Sequence, residues 1–589
     1  MRLWPLSREG LPKQFLKVDS DKSLFCQTVE RAFLIAKKED IFVSAGRDNF
    51  LNLKREMRSC GISEKNIIFR PENQDTASSV LSCLKKLKED MGIGDQEIIA
   101  VFPSDHLVGS SKKFIRSMEN AVEAALLGNI VAFGIKPDSP ETCYGYIKIG
   151  KENNGFCKVK KFIEKPDYKT AEEFLVAGGY LWNSGMFVFP LGVMMSEFKK
   201  HAPEIFSLVA NEEERSSLSL DKAVIEKSEK MAVIPADFDW TDVGSWRMFH
   251  KTARKDEGGN IIAGDVLVEN ISNSLIFADK KLVVGVNLKD IIIIDSNDAL
   301  FVAPKNQADA VKKILEKMKE QKRKELKIEN PYVSIFTVVS SQNDFDNLVG
   351  EAIKNVFSQR YPNIEYIILN LGKPEWDSKI NEQAQKYRNL NKTSYVMHDV
   401  GKNFYESLNA CIEQATGEVL VFLSPESLLA DEFVIQSAME AMEKSEADVC
   451  WGDLIYAQGN NLDKIIRFYK SSDYPKNGFY SGWQPPTKTF FIRRGSYEKY
   501  GKFRTDLQIA SDYEIMLRLL EKHKVKYCYI PKIMIKVKNS GIGEMINIPK
   551  LIKGNIECYR SFGLNGLKAN PMIIFLKPFF KISQFFKKR

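Results

Sequence analysis

The sequence predicts an α/β protein with two doubly wound domains, and three observations carry this prediction. With 589 residues the chain is too long for one hydrophobic core, so roughly two to four domains are expected. The segment Glu97–Val108 runs from an apolar stretch straight into Pro-Ser-Asp-His, a pattern typical of a strand buried on both faces that ends in a turn. After the Asn330–Pro331 break, an apolar strand, a helix over 346–360 and a second strand begin another βαβ unit.

Composition and charge are those of an ordinary globular protein. Hydrophobic residues make up 44% of the chain and charged residues 28%. The net charge of +8 is small for this length; it suits anionic small-molecule substrates and does not indicate nucleic-acid binding. No apolar run approaches about eighteen residues and no signal-peptide core is found, so we expect a cytoplasmic protein, at most peripheral to a membrane. The nine cysteines lack CxxC or zinc-like spacing and predict free thiols.

The acidic residue after the first predicted strand is the first candidate for chemistry. Asp105 would lie at the C-terminal end of that strand, where open α/β sheets bind their ligands. A carboxylate there can hold a divalent metal against phosphate oxygens, because hard cations prefer oxygen ligands. Asp105 can equally cap the helix that is predicted to begin near Ser110. The pattern alone does not decide between these roles.

The chain begins with a basic loop. Arg2 and Lys13 lie on a segment interrupted by prolines that leads into a helix predicted over 24–37. Fixed cations and backbone N–H groups in such a loop can bind phosphates. A solvated basic terminus is the alternative.

Six motifs follow one another along the first half of the chain. They are RLWPLSREGLPKQFL, PSDHLV, YGYIKIG, FIEKPD, YLWNSGMFVF and DWTDVGSW. Together, over about residues 1–315, they resemble the bacterial mannose-1-phosphate guanylyltransferases. The resemblance implies a Rossmann-like nucleotidyltransferase fold, Mg²⁺ as cofactor, and the joining of GTP and mannose 1-phosphate with release of pyrophosphate. The GDP-mannose formed would serve polysaccharide biosynthesis.

The resemblance also implies roles for particular residues. Arg2 and Lys13 would hold the triphosphate and the leaving pyrophosphate, while Asp105 and Asp242 would bind Mg²⁺. The sugar phosphate would be bound by four further residues: Gly145, Glu164, Lys165 and Asn183. Each of these four also has an ordinary structural role, as a turn glycine, a surface ion pair or a capping asparagine.

The sequence departs from this family in two places. The family's first strand and its G-G-x-G-T-R loop have no counterpart before Met1, and a chain that begins here is expected to bind the nucleotide poorly. Gln74 and Asp75 stand where the family usually has Arg-Asn, which weakens the expected contacts to the base.

Two shorter segments follow the nucleotidyltransferase domain predicted over 1–255. Residues 256–312 alternate short β-rich runs with Gly, Asn and Asp turns, which predicts a small β-helix or sheet. This connector resembles the β-helical tail of the guanylyltransferases. Residues 313–330 are highly charged and predict a solvated helical linker.

The segments VSIFTVVSSQND, FSQRYPNIEYIILN and YEKYGKFRTDLQIASDYEIMLRLL lie within residues 331–545. They resemble the family 2 glycosyltransferases, which have a Rossmann-like glycosyltransferase-A fold and act on a nucleotide sugar and a glycan acceptor. Several acidic positions are altered: Asn370 follows the second strand, and Pro425-Glu426-Ser427 replace the metal-binding Asp-Asp. Asp512 matches the catalytic base, or is a helix N-terminal charge. We therefore predict a degenerate glycosyltransferase, although Glu426 can still hold a metal.

The last segment, residues 546–589, mixes Phe with Lys and Arg and can either lie on an anionic membrane surface or pack on the domain. The sequence thus predicts two Rossmann-like domains joined by a β-helical segment and a charged helix. The predicted function is that of a guanylyltransferase fused to a glycosyltransferase-like domain. Two alternatives stay open: an active glycosyltransferase in the second half, or an inactive scaffold or regulator.

Overall fold

The chain forms two compact units, Met1–Glu329 and Asn330–Arg589, and each is described by itself. The prediction of two α/β units is confirmed. The computed structural model describes residues 2–571 except for 19, 21, 47–48, 70–75, 154, 211–217, 280, 297, 328–329, 388–391, 399–402, 460 and 540–547.

A mixed sheet forms the centre of the first unit. The strands up to residue 241 are β1 (Val43–Ala45), β2 (Ile67–Phe69), β3 (Ile98–Val101), β4 (Leu107–Val108), β5 (Ile130–Ile135), β6 (Tyr146–Asn153), β7 (Phe156–Ile163), β8 (Tyr180–Pro190), β9 (Met231–Ala236) and β10 (Trp240–Thr241). Among the described residues, the sheet has the order β3-β8-β5-β9-β7-β6. β1 and β2 pair in parallel, and β4 pairs antiparallel with β10.

Helices cover both faces of this sheet. They are α1 (Leu24–Ala32), α2 (Phe50–Cys60), α3 (Thr76–Glu89), α4 (Ser111–Leu126), α5 (Tyr168–Ala177), α6 (Leu191–His201), α7 (Pro203–Ala210) and α8 (Trp246–Thr252). Successive strand residues point to opposite faces. Ile130 and Ala132 of β5 therefore pack in one core with α3 and α6, while Val131 and Phe133 pack in a second core with α4.

The position of β3 corrects the expectation of a strand buried on both faces. β3 pairs with β8, and within the described residues no strand covers its other edge. Its side chains are only partly buried, and Ala100 is exposed. A cavity of about 1220 Å³ lies along it, lined also by Phe42–Gly46 and by residues of α1 and α3. An apolar run predicts a strand, but burial depends on which elements flank it.

Two parallel ladders follow the first sheet. The strands are β11 (Ile261–Ala263), β12 (Val266–Glu269), β13 (Leu275–Phe277), β14 (Val283–Val286), β15 (Ile291–Asp295) and β16 (Leu300–Pro304). β11, β13 and β15 stack in parallel, as do β12 and β14. Asn270 and Asn287 occupy equivalent corners with positive φ, and the Asn270 amide donates to Asn287 Oδ1 at 2.6 Å. This is a short β-helix, as predicted.

The charged segment after the β-helix is not a solvated linker. Its helix α9 (Val311–Glu320) buries Val311 and Leu315, which pack with Leu326 and with Trp4 of the N-terminal loop. The Trp4 indole also donates to the carbonyl of Glu325 at 3.1 Å. One face of this helix is apolar, so the high charge of the segment describes only its other face.

The second unit contains a larger mixed sheet. Its strands are β17 (Val333–Val339), β18 (Ile364–Asn370), β19 (Lys392–His398), β20 (Val419–Leu423), β21 (Ser427–Leu429), β22 (Val449–Gln458), β23 (Asn461–Tyr469), β24 (Phe491–Arg493) and β25 (Tyr527–Asn539). Among the described residues the order is β19-β18-β17-β20-β24-β22-β25-β21, with β23 on β22. The first four strands in this order are parallel.

The helices of the second unit pack on both faces of its sheet. They are α10 (Gln342–Asn347), α11 (Ile353–Phe357), α12 (Trp376–Gln385), α13 (Phe404–Gln414), α14 (Val434–Lys444), α15 (Arg494–Tyr500), α16 (Ser511–Leu517) and α17 (Ile548–Leu564). A capping box of Ser341 and Asp344 starts α10. None of the helices in the described part of the chain has the length and apolarity needed to cross a bilayer.

A disulfide in the first unit and a helix near the chain end differ from the expectations. Cys26 and Cys60 form a disulfide between α1 and α2, contrary to the prediction of free thiols; it rests on tertiary proximity, with Cα atoms 5.7 Å apart, and not on a spacing motif. Helix α17 lies inside the predicted tail, and its Glu557 accepts backbone hydrogen bonds from three residues ahead of α16: Gln508, Ile509 and Ala510. The Phe- and Lys-rich end beyond Pro571 lies outside the described residues.

The N-terminal loop is fixed by Arg8, which provides a test of the fold. Its buried guanidinium donates to both carboxylate oxygens of Asp298, at 2.9 and 2.5 Å. Replacing Arg8 by Ala leaves a largely buried carboxylate without its cation, and we expect the free energy of unfolding of the first unit to fall by about 3 kcal/mol. Urea unfolding followed by tryptophan fluorescence measures this loss.

The matched control is Lys22→Ala, because Lys22 forms an ion pair with Glu30 in which 56% and 46% of the two side chains are exposed. An exposed pair contributes little, so this change should leave the unfolding midpoint nearly unaltered. Equal effects of the two substitutions would contradict the anchoring role of Arg8.

Candidate active site

A short antiparallel ladder brings the acidic candidates of the first unit together. In the β4–β10 pair, Leu107 lies opposite Thr241. Asp105 and Asp242, which flank these strands, therefore meet at the same end of the ladder. The Lys13 ammonium links them: Nζ lies 3.0 Å from Asp105 Oδ2 and donates to the Asp242 carbonyl at 2.6 Å.

Asp105 does not cap the following helix. The cap of α4 is Ser110, whose hydroxyl accepts from the backbone N–H of Lys113. The Asp105 carboxylate faces the Lys13 ammonium instead. The helix-capping alternative is therefore excluded by the observed contacts.

The Asp242 carboxylate is held in one orientation by two donors. Its Oδ1 accepts from the Tyr144 hydroxyl at 2.9 Å and from the Gly244 N–H at 3.0 Å. Burial, reinforced by the Asp242 charge, raises the pKa of Tyr144 far above its ordinary value, so the phenol stays protonated and keeps donating. A Cβ at Gly244 would lie 2.7 Å from Asp242 Oδ2, so glycine is required for this close approach.

His106 adds a neutral wall to the site. Burial lowers its pKa to about 4, and the neighbouring Asp105 only partly opposes this effect. The neutral ring accepts a hydrogen bond from the Trp240 indole at Nδ1, over 3.2 Å, which assigns the remaining ring proton to Nε2. His106 therefore contributes shape and orientation, and no positive charge, at neutral pH.

The Arg2 side chain is exposed. Burial is the largest cause that raises the pKa of the Cys143 thiol to about 11, and the Asp242 charge is the next largest. The charge of Arg2 acts against this rise. Arg2 is thus within electrostatic range of the Cys143–Tyr144 segment that supports Asp242. Of the residues predicted to bind phosphate and metal, Lys13, Asp105 and Asp242 meet at one point, whereas Arg2 is linked to this region only through its charge effect on Cys143.

The residues predicted to bind the sugar phosphate form a second cluster. The Asn183 N–H donates to the Gly145 carbonyl at 2.8 Å, and a Cβ at Gly145 would lie 2.7 Å from Glu164 Oε2. The Lys165 ammonium pairs with Glu164 at 2.5 Å. The Asn183 amide donates to Asp221 Oδ1 at 2.9 Å. All four predicted residues are therefore neighbours.

Asp221 is a member of this cluster that the sequence did not reveal. It begins the short π-helical turn Asp221–Ile225, far from the other members in the chain and outside every motif. Burial, with the nearby Glu164 charge, raises the pKa of Asp221 to about 6. A carboxyl group that titrates near neutral pH, hydrogen-bonded to Asn183, can accept hydroxyl groups in one protonation state and donate in the other.

The remaining predicted residues lie elsewhere. Asp512 belongs to the first turn of α16 in the second unit, where its Oδ1 accepts from the Tyr513 N–H at 2.8 Å. Gln74 and Asp75 lie outside the described residues, whereas Thr76 begins α3 and its hydroxyl accepts from the Leu220 N–H. The first unit thus presents an acidic pair with a cation beside a polar, partly buried cluster suited to a hydroxyl-rich ligand.

Comparison with protein families first defines the class. A family described as nucleotidyl transferase matches residues 1–258, and a family described as MannoseP isomerase/GMP-like beta-helix domain matches residues 264–318. Residues 337–501 match glycosyl transferase family 2. The first unit is therefore a nucleotidyltransferase-type domain that continues into its β-helix.

Comparison with individual proteins identifies the family within this class. A putative mannose-1-phosphate guanylyltransferase of Vibrio cholerae is 36% identical over 346 residues, covering 55% of this chain and 73% of the relative. The alginate biosynthesis protein AlgA of Pseudomonas putida is 34% identical over 345 residues, covering 55% and 70%. The chain belongs to the mannose-1-phosphate guanylyltransferase family. Among solved structures, the mannose-1-phosphate geranyltransferase from Thermus thermophilus is 30% identical, with a TM-score of 0.49 and coverage of 54% and 96%.

Asp221→Asn tests the environment assigned to Asp221. The folded chain keeps this proton up to about pH 6, whereas the unfolded chain releases it near the ordinary pKa of 3.8. Ionisation therefore destabilises the parent as the pH rises, and the amide escapes this cost. Between about pH 4 and pH 7 the variant should gain about 2 kcal/mol of unfolding free energy relative to the parent. Urea unfolding at a series of pH values measures it.

Asp167→Asn is the control of opposite sign. Hydrogen bonds from Thr170 hold the pKa of Asp167 below its ordinary value, so the charged form caps α5. This variant should therefore lose stability relative to the parent as the pH rises. A pH-independent difference for Asp221→Asn would show that its carboxyl is not held in the environment described.

Proposed function

We propose that the first unit is a mannose-1-phosphate guanylyltransferase. It would join GTP and mannose 1-phosphate into GDP-mannose and pyrophosphate. The observation that carries the proposal is the Lys13 contact with both Asp105 and Asp242, which gathers a cation and two carboxyl-bearing residues at one point. Membership of the guanylyltransferase family supports the choice of substrates.

The donor set suits Mg²⁺. This ion is usually held by one or two carboxylates together with substrate phosphates and waters, and does not need an all-protein cage. Asp105 and Asp242 supply two carboxylates, and the position beside Asp105 Oδ2 already attracts the Lys13 ammonium. Bound there, Mg²⁺ would neutralise charge on the nucleotide phosphates.

The chemical step needs positioning more than proton transfer. A phosphate oxygen of mannose 1-phosphate would attack the α-phosphorus of GTP, and the bond from that phosphorus to the bridging oxygen of the leaving pyrophosphate would break. A sugar phosphate is largely dianionic at neutral pH, so no general base is required. Arg2 and Lys13 would hold the triphosphate and stabilise the departing pyrophosphate.

The second cluster would hold the sugar. Glu164 would accept hydrogen bonds from sugar hydroxyls, and Lys165 would pair with the phosphate of mannose 1-phosphate. Asn183, oriented by Asp221, offers donor and acceptor groups to the hexose. Gly145 allows the sugar to approach bare backbone beside Glu164.

A role in polysaccharide assembly is proposed from two facts. The relative from Pseudomonas putida is named an alginate biosynthesis protein, and the second unit of this chain matches glycosyl transferase family 2. Production of a nucleotide sugar and sugar transfer are consecutive kinds of reaction, so their occurrence in one chain fits such a pathway.

The activity is tested with the full chain, together with any residues encoded in frame upstream of Met1. Pyrophosphate release is measured with GTP, mannose 1-phosphate and Mg²⁺, omitting each in turn; release should require all three. Asp242→Asn should lower kcat/KM by at least about 100-fold, because the amide cannot supply the negative charge that holds the metal.

Asp237→Asn is the matched control, since Asp237 is a nearby surface aspartate paired with Lys113. It should retain the parent rate. The proposal fails if pyrophosphate is not released, or if Asp242→Asn and Asp237→Asn have equal activity.

A further inference from the structure

The strand order of the sheet in the second unit reverses at one point, and open α/β sheets characteristically bind ligands in the crevice at such a point. β17 lies in parallel between β18 and β20, with Thr337 opposite Leu423. From β17 the chain first adds β18 and β19 on one side, and only then β20 on the other. The strand order therefore reverses between β17 and β20, and the crevice opens at their carboxyl ends.

A lysine from a distant loop fills the position just beyond β20. Lys488 Nζ donates to Glu426 Oε1 at 2.8 Å and to Ser427 Oγ at 3.2 Å, and it also contacts Ser424 Oγ. The pair is partly open to solvent, with 27% of the Lys488 side chain and 32% of the Glu426 side chain exposed. The ammonium thus sits within a shell of side-chain oxygens at the mouth of the crevice.

The loop that carries Lys488 is firmly anchored. The next residue, Thr489, is fully buried, and its hydroxyl lies 2.9 Å from the Gly452 carbonyl and 3.1 Å from the Pro486 carbonyl. Burial alone would raise the pKa of Glu426, but the Lys488 charge and the hydrogen bonds from Lys488 and Ser424 together outweigh burial and hold this pKa below its ordinary value. The Glu426 carboxyl group is therefore ionised at neutral pH.

The crevice provides few ligands for a divalent ion. In the part of the chain that the structure describes, no three His, Cys, Asp or Glu side chains are grouped so as to hold a metal. Glu426, at the altered Asp-Asp position, already pairs with Lys488. At the end of β18, the buried Asn370 amide is engaged with Asp377 Oδ1 at 2.6 Å and with the Lys373 carbonyl at 2.9 Å.

Ser424 and Ser427 supply the hydroxyl groups of an anion receptor beside the Lys488 ammonium. A hydroxyl that accepts from an ammonium directs its own proton elsewhere. Ser424 and Ser427 lie 2.7 Å apart and share one such proton, and the Ser424 side chain is also hydrogen-bonded to the Glu426 carboxylate. A phosphate oxygen that enters in place of Glu426 would accept this hydroxyl proton. An ammonium with an adjacent hydroxyl donor is the combination that phosphate oxygens accept.

We propose that the second unit binds the diphosphate group of a nucleoside diphosphate at the carboxyl ends of β17 and β20, with the Lys488 ammonium in place of a divalent cation. Ser424 and Ser427 add hydroxyl donors, and Glu426 keeps the ammonium in position until the ligand arrives. Binding at this site is independent of metal. The site is distinct from the Asp105–Asp242 site and does not depend on the function proposed for the first unit.

Hydrogen-exchange mass spectrometry of the full chain locates the binding. GDP and UDP are added separately, once with EDTA and once with MnCl₂, and protection is read in peptides covering 424–430 and 484–490. These peptides should be protected by at least one of the two nucleotides, with the same apparent Kd in EDTA and in Mn²⁺. Because the readout is confined to these peptides, nucleotide bound by the first unit does not affect it.

Two substitutions at the site give opposite expectations. Lys488→Met should weaken binding at least about tenfold, because a charge-assisted contact is lost. Glu426→Gln should strengthen it severalfold, because the carboxylate that competes for the ammonium is removed. Lys532→Met, which removes a partly exposed lysine paired with Asp431, is the matched control and should bind as the parent does.

Protection that requires Mn²⁺ would overturn the proposal, as would unchanged binding in Lys488→Met or no protection by either nucleotide. If Lys488→Met does not fold, Glu426→Gln still decides. A metal site that used Glu426 would lose affinity in that variant, whereas the ammonium site gains it.

Discussion

The contact of the Lys13 ammonium with Asp105 and with the Asp242 backbone is the interaction on which the first unit depends. The two acidic residues are distant in sequence, and a two-residue ladder alone would fix them weakly. The lysine draws their segments to one point, while Tyr144 and Gly244 orient the Asp242 carboxylate. Like charges brought together in this way need a cation, which is why the same geometry suits a metal and a nucleotide.

The β-helix and the segment around α9 hold the N-terminal loop in place. Arg8 is locked to Asp298, and the Trp4 indole reaches the carbonyl of Glu325. On its other side, the Trp246 indole donates to the Trp4 carbonyl at 2.9 Å. The loop that carries Lys13 is therefore held by segments near the end of the first unit. The contact between Arg8 and Asp298 therefore shows that the β-helix helps to hold the loop that carries Lys13, and that it does more than link two segments of the chain.

Much of this organisation follows from the sequence, because local signals determine local structure. The apolar run before Asp105 forms a strand, and the turn residues after it form a turn. The sequence-based predictions were wrong where the outcome depends on tertiary contacts. Neither the edge position of β3 nor the disulfide of Cys26 and Cys60 has a local signature. The sequence does not reveal Asp221 or Lys488, because their hydrogen-bond partners lie in distant segments of the chain. Lys488 is also a cation at a place where the family pattern has acidic residues.

We expect the carboxylates of Asp105 and Asp242 to share one divalent cation with the nucleotide. Anomalous diffraction from crystals of the chain grown with GTP and Mn²⁺ measures this directly. An anomalous peak is expected within coordination distance of both carboxylates, with nucleotide phosphate oxygens on its other side. A bound nucleotide without such a peak, or a Mn²⁺ peak in contact with neither carboxylate, would contradict it.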